Sequence, residues 1–275
     1  MAFYELSVRK IKELEQIVKE KYGIVLSNFA TIPLRRKIEK SLSFFNLNSI
    51  EELITIVNSD KIGKEDFLLS LSSVATEMFR APSVWRFLLN EFSKTVAENN
   101  NYRIWFPLCA GGYELFSLIT LLKILDVEEK VEITINCLST EKSNLLKRGE
   151  ILIDKKILEI SKLNFKRFGI KPHYDWESIF YENDERLIFK EKIKTKIKIT
   201  KEGVFMPPPF MQDIVVYRNI MLDYTLKYSY EIIGNIVKKL KKGGLLIIGE
   251  KEKILYLQEY SLSAINENDG IYKKK

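Results

Sequence analysis

The sequence predicts an α/β protein in which a doubly wound sheet follows an all-helical segment, and three observations predict it. Residues 101–126, NYRIWFPLCAGGYELFSLITLLKILD, read as a short apolar strand, a tight turn at Gly111 and Gly112, and an amphipathic helix. A second strand pattern, VEITINCL at 131–138, follows at the spacing of a βαβ unit. Later strands such as IVV and LLII are continuously apolar, as strands of a parallel sheet covered on both faces must be. A glycine turn between strand and helix lets the main chain approach a nucleotide-like ligand, so a ligand is expected at the carboxyl edge of the sheet. PLCAGGYE lacks the first glycine of a G-x-G-x-x-G fingerprint, and paired glycines also occur in ordinary loops, so the turn alone leaves both readings open.

The first helix is read over 8–23, where Val8, Ile11, Leu14, Ile17 and Val18 recur at helical spacing and Gly23 is a C-terminal cap. A second begins near Pro33 and runs over 32–47. SIEELITIV at 49–57 starts with a serine cap and first-turn acids, and KEDFLLSLSSVA at 64–75 continues the bundle. From Asn101 onward the pattern becomes strand RIWFPL, helix 113–125, strand VEITINCL, helix 140–149, strand QDIVVYRN at 212–219, helix 224–241 and strand GLLIIG at 244–249. Between these, Ile193, Thr195, Ile197 and Ile199 alternate with Lys192, Lys194, Lys196 and Lys198. That is a β pattern with one apolar and one basic face, suited either to an edge strand protected by lysines or to a surface meeting an acidic partner.

Composition narrows the function classes. With 275 residues, 46% of them hydrophobic, the chain can bury a sizeable core in one large or two moderate domains. No run of about 18 apolar residues and no basic-then-apolar leader occurs, so membrane insertion and export are not expected and a cytoplasmic location is. Cys109 and Cys137 form neither a disulfide framework nor a C-x-x-C metal spacing, and His173 is the single histidine. A histidine-based zinc site or a Ser-His-Asp triad is thereby disfavoured, and no metal is expected.

Four segments taken in order, ATEMFRAP at 75–82, IWFPLCAGGYELFSL at 104–118, VYRNIMLDY at 216–224 and LKKGGLLIIGEKE at 240–252, resemble the chemotaxis-receptor methyltransferases of the CheR family. The resemblance runs from about Tyr22 to about Glu252. It implies a Rossmann-like class I methyltransferase fold with a small antiparallel β excursion, preceded by an all-helical N-terminal domain. The expected division is 1–85 for the helical domain and 86–275 for the S-adenosylmethionine-binding domain, with the excursion at about 155–205. The implied reaction is methylation of glutamate side chains on the cytoplasmic helices of chemoreceptors, with S-adenosylmethionine as cofactor and S-adenosylhomocysteine as product.

The resemblance also assigns residues. Thr76, Arg80, Glu114, Cys137, Arg218 and Asn219 fall at cofactor-binding positions, and Arg80 would orient the cofactor by pairing with its carboxylate. Read from the residues alone, Glu114 is equally a first-turn acid favoured by the helix dipole, Arg80 a surface arginine, and Arg218 or Asn219 a helix cap. Arg35, Arg36, Lys37 and Lys40 form a basic patch comparable to the family's receptor-recognising helix, or simply a solvated face. The chain departs from the family at Val74, Leu108, Tyr113 and Cys137, of which Cys137 stands where an acid would accept ribose hydroxyls. A thiol accepts such bonds poorly, and Ser139, Thr140 and Glu141 are the available substitutes.

Two other functional readings follow. The fold can persist as a non-catalytic binding or sensing module, and the pocket around Leu108 and Cys137 separates that reading from an enzyme. A net charge of +7 can also mark a nucleic-acid methyl acceptor. The bases are nevertheless interleaved with 37 acids, and MPPPF at 206–210 is a stiff loop rather than an N-P-P-Y signature, so no nucleic acid is expected as partner.

Overall fold

The computed structural model describes residues 6–72, 77–96, 101–109, 111–169, 174–183, 185–201 and 207–275. Val74, Thr76 and His173 lie outside the described residues. The chain divides into two compact units, one of residues up to 73 with 220–231 and the other of 74–219 with 232–275.

The first unit is built from α1 (Val8–Tyr22), α2 (Thr31–Phe44), α3 (Ile50–Asn58) and α4 (Lys64–Leu71). Local chemistry sets their ends. Ser7 accepts a hydrogen bond from the Lys10 amide at the start of α1, and Gly23 closes it at φ 69°, a left-handed conformation that glycine adopts without a Cβ penalty. Ser49 caps α3 by accepting from the Glu52 amide, while Glu52 reaches back to the Asn48 amide at 2.9 Å. Leu14, Val18, Leu26, Ile38, Leu42, Leu53, Val57 and Phe67 are fully buried between the helices. The segment from Ile220 joins this unit: Phe29 stacks on Tyr224 with centroids 4.8 Å apart, and the Ala30 amide donates to the Asp223 carbonyl at 3.0 Å.

The second unit contains α5 (Pro82–Thr95), β1 (Tyr102–Phe106), α6 (Tyr113–Ile124), β2 (Val131–Asn136), α7 (Thr140–Lys147), β3 (Glu150–Leu152) and α8 (Lys155–Phe168). It continues with α9 (Trp176–Ile179), β4 (Phe180–Asn183), β5 (Arg186–Phe189), β6 (Lys196–Thr200) and β7 (Gln212–Val216). Helix α10 (Leu226–Lys239) runs directly into β8 (Leu240–Ile247), and the hairpin β9 (Leu262–Asn266) and β10 (Ile271–Lys274) follows. The strands form a seven-stranded sheet in the order β6-β2-β1-β7-β8-β10-β9. β6, β2, β1, β7 and β8 are mutually parallel, and β10 is antiparallel to β8 and β9. The protein is thus α/β with a mostly parallel, Rossmann-like sheet and a helical N-terminal part.

The lysine-alternating segment divides in two. Only Lys196–Thr200 is strand, and it lies parallel to β2 at the edge of the large sheet. Lys192, Lys194, Lys196 and Lys198 are all exposed while Thr195 is buried, so the alternation marks faces even where the ladder is absent. The antiparallel excursion is a separate sheet of β3, β5 and β4. It is tied to the rest of the unit by a chain of rings: Phe116 with Phe189, Phe189 with Phe180, Phe180 with Trp176, Trp176 with Phe165, and Phe165 with Phe79, all with centroids 4.5–5.6 Å apart. No helix among the described residues is long and apolar enough to cross a membrane.

Candidate functional site

Strand order reverses at β1: β2 and β6 lie to one side, β7 and β8 to the other. In open α/β sheets ligands bind at such a switch point, outside the carboxyl ends of the strands. Glu114, in the first turn of α6 after β1, and Arg218, just beyond β7, straddle this point. Arg218 Nη1 donates to Glu114 Oε1 at 2.9 Å, and the two side chains are only 1% and 16% exposed. Arg218 Nη2 also donates to the main-chain carbonyl of Arg80 at 3.2 Å.

Burial pushes the Glu114 carboxyl above its ordinary value, and the nearby Glu252 carboxylate pushes the same way; Arg218 and Arg80 pull it back down without cancelling the rise. Among the described residues, Arg218 Nε and Asn219 Nδ2 are buried without a hydrogen-bond partner. Buried donors normally find an acceptor, so these two orphans beside a buried carboxylate describe a polar cradle that an acceptor-rich ligand would complete.

Arg80 sits in an unusual piece of backbone. Its neighbours Phe79 and Ala81 both have φ 53°, a left-handed conformation costly for residues with a Cβ. The aromatic chain holds Phe79 there, with Phe168 stacked at 5.2 Å and Trp85 edge-on at 5.7 Å. The Trp85 indole N–H donates to the Arg80 carbonyl at 2.9 Å. The Arg80 side chain, 31% exposed, has its Nε 3.9 Å from Glu250 Oε1, a loose pair that leaves the guanidinium available.

The glycine turn is packed closely against the protein's own side chains. A Cβ on Gly111 would lie 2.3 Å from the Tyr113 ring. One on Gly112, at φ 86°, would lie 2.7 Å from Leu146 and 2.8 Å from Ile151. Both glycines therefore make room for the protein's own side chains. Tyr113 lies over the turn and donates through its hydroxyl to the Leu152 carbonyl at 2.9 Å, and burial pushes its pKa up to about 12.

At the end of β2, Cys137 is buried and its thiol points at the Ser139 carbonyl, 3.6 Å away. Ser139 is occupied in capping α7 through the Lys142 amide, and Thr140 Oγ1 accepts from Lys201 Nζ. Glu141 is the remaining exposed acid in that turn. Cys109 is buried, and desolvation raises its thiol well above the ordinary range, which leaves it protonated and poorly nucleophilic.

The structure thus brings Glu114, Arg218, Asn219 and the Arg80 backbone together and keeps Cys137 inside the core at the neighbouring strand end, while Thr76 lies outside the described residues. Glu250, Glu252 and Trp85 also belong to this site and were not singled out from the sequence. Two acids directly after an apolar strand pattern, in GEKE at 249–252, are the sequence signal by which the first two can be found.

The basic patch separates as well. Lys37 is turned inward: its ammonium pairs with Asp223 at 2.8 Å, donates to the Leu71 carbonyl at 3.1 Å and lies 5.4 Å from the Phe29 ring centroid. Lys40 donates to the Ser72 carbonyl. Arg35 and Arg36 are exposed, with Arg35 donating to the Leu6 carbonyl at 2.6 Å.

The model of the CheR methyltransferase, SAM binding domain, matches residues 74–268. The chain belongs to the CheR methyltransferase family. It is similar to the chemotaxis protein methyltransferase of Borreliella burgdorferi, 23% identical over 265 residues covering 89% of this chain and 88% of that one. The chemotaxis protein methyltransferase of Vibrio anguillarum is 21% identical across 100% of both chains. That of Listeria innocua is 19% identical over 256 residues, 91% of this chain and 92% of its own. The cofactor of this CheR family member is S-adenosylmethionine. The cradle fits it: the buried Glu114–Arg218 pair and the unpaired donors Arg218 Nε and Asn219 Nδ2 suit a ligand carrying a carboxylate and hydroxyls.

Proposed function

We propose that this protein is a protein-glutamate O-methyltransferase that modifies the cytoplasmic helices of bacterial chemoreceptors. The observation that carries the reading is the buried Glu114–Arg218 pair at the point where strand order reverses. When bound, S-adenosylmethionine supplies an electrophilic methyl group. A glutamate acceptor is already ionised at neutral pH, so the protein has to position it and exclude water, and needs no strong general base. That agrees with a site made of carboxylates and guanidiniums.

In this reading Glu114 accepts from ligand hydroxyls or amine, Arg218 and Asn219 donate to the ligand, and Arg80 exchanges its loose contact with Glu250 for the cofactor carboxylate. Thr76 belongs to the same set by resemblance, and Cys137 stands at the ribose position. Arg35 and Arg36 meet the acidic receptor surface and steer encounter. The names of the relatives support the chemotaxis assignment, and the protein would act in the cytoplasm, where receptor signalling helices lie.

The test is transfer of labelled methyl to receptor cytoplasmic fragments, with base-labile release as methanol, which distinguishes a methyl ester from N-methylation. Ester formation lost on replacing receptor glutamates by alanine is expected. A second reading, that of a binding module with weak or no turnover, draws on the buried thiol of Cys137. It predicts S-adenosylhomocysteine binding without ester formation.

A further inference from the structure

We infer that Glu252 is a positioning residue that fixes the main chain beyond Arg218 and so aims the Arg218 guanidinium into the cradle. The inference rests on the proposed cofactor role of that cradle. Glu252 follows β8 and is 1% exposed. A single oxygen, Oε2, accepts from the Asn219 amide at 2.9 Å and from the Gly249 amide at 2.5 Å. The Gly249 bond is local, part of a turn in which the Glu252 amide donates back to the Gly249 carbonyl at 2.9 Å. The Asn219 bond is not: it reaches across 33 residues to the end of a different strand, which a turn-forming glutamate has no need to do.

The tie holds Asn219 in one defined backbone conformation. Its φ of 59° is left-handed, a conformation that asparagine tolerates better than other residues with a Cβ and that the Glu252 contact fixes here. It directly follows Arg218, so the direction its amide takes decides how Arg218 leaves β7. The junction has no spare room. A Cβ on Gly249 would lie 2.6 Å from Asn219 Oδ1, 2.8 Å from Glu252 Oε2 and 3.0 Å from the Asn219 nitrogen. Carboxylate, amide and strand end are thus packed around a glycine, and removing the carboxylate leaves one buried and one part-buried N–H group without this acceptor.

Three variants and two measurements test this. Glu252→Ala removes the acceptor, Glu252→Gln keeps an oxygen that can accept both amides while losing the charge, and Gly249→Ala intrudes on the junction with Glu252 present. S-adenosylhomocysteine affinity by calorimetry is expected to fall at least tenfold for Glu252→Ala and Gly249→Ala, and to recover to within about threefold of the parent for Glu252→Gln. Amide exchange at Asn219 and Gly249 in the ligand-free protein is expected to accelerate in Glu252→Ala and stay slow in Glu252→Gln. Affinity within twofold of the parent in a folded Glu252→Ala protein, or unchanged exchange at Asn219, overturns the inference. Should Glu252→Ala not fold, the Gln and Gly249 variants carry the same comparison. Failure of the parent to bind S-adenosylhomocysteine would sink the cradle's cofactor role, and with it the aim assigned to Glu252; slow exchange at Asn219 would then show that only the tie itself survives.

Discussion

The guanidinium of Arg218 and the carboxylate of Glu114 meet at 2.9 Å across the reversal point of the sheet, linking residues 104 positions apart in the chain. Their pairing gives the site its charge balance. Arg218 offsets part of the cost of burying Glu114, and Glu114 gives Arg218 one partner while its Nε stays uncommitted.

Arg218→Ala should therefore be among the most damaging substitutions in the second unit. It leaves Glu114 buried without its main counter-charge, a change that costs about 3–5 kcal/mol in comparable cases. The loss is read as a fall in the unfolding midpoint at neutral pH, together with loss of S-adenosylhomocysteine binding. A variant as stable as the parent would mean that the pair is better solvated than its burial indicates.

The raised carboxyl of Glu114 also fixes the sign of a pH effect. With a folded-state pKa above its ordinary 4.5, the folded protein holds this proton more tightly than the unfolded chain. The contribution to stability is complete below the ordinary value and is lost as pH rises through the folded-state value. The stability of the parent relative to Glu114→Gln should accordingly fall as pH is raised from about 4.5 towards neutrality. Thermal unfolding at a series of pH values measures it, and a parent that gains stability relative to the variant over this range would reverse the assignment.

Arg80→Ala should separate binding from folding. The structural hydrogen bonds at this residue, from Trp85 and Arg218, go to its carbonyl, which any residue supplies. The apo unfolding midpoint should barely move, whereas loss of a charge-assisted contact of about 1.5–3 kcal/mol should weaken S-adenosylhomocysteine binding by about ten- to a hundredfold. Arg80→Lys should recover only part of it, because an ammonium lacks the planar two-bond geometry. A folded Arg80→Ala protein with parental affinity would remove the carboxylate contact.

Cys137→Asp should tighten S-adenosylhomocysteine binding by roughly tenfold while lowering apo stability, since the new carboxylate is buried near the Ser139 carbonyl until ligand hydroxyls reach it. Calorimetry and unfolding of the same preparation give both quantities. Unchanged or weaker binding would put the ribose elsewhere.

Neighbouring residues on α2 should give opposite phenotypes. Reversing the exposed pair, Arg35→Glu with Arg36→Glu, should slow receptor methylation by about tenfold at low ionic strength and flatten its salt dependence, with cofactor affinity intact. Lys37→Ala should instead lower stability by about 1–3 kcal/mol, because Asp223 and the Leu71 carbonyl lose a largely buried donor. Identical methylation rates for the double variant and the parent at low salt would dispose of the docking role.

Much of this architecture was legible because the decisive signals are local. Gly23 and Ser49 cap the helices that their sequence positions predict, and the apolar runs at 104–106, 214–216 and 245–247 are parallel strands. The small sheet was not legible strand by strand, since EIL, FYEN and RLIF are three to four residues long and too short for alternation to register. In the site, Glu114 and Arg218 could be picked out singly, but their pairing depends on strand order. Lys37 shows the complementary failure: composition groups it with Arg35 and Arg36, whereas the helix turns it towards Asp223 and the other two towards solvent.

The packing of Gly111 and Gly112 against Tyr113, Leu146 and Ile151 bears on how descent is read in this family. In this chain selection on the two glycines would serve folding, so a descendant that had abandoned its cofactor would still be held to them. In a descendant of this chain, retention of the strand–glycine–helix turn is then no guarantee of activity. Joint retention or joint loss of Glu114 and Arg218 is the more telling inheritance, because neither residue survives comfortably in the interior once the other has drifted.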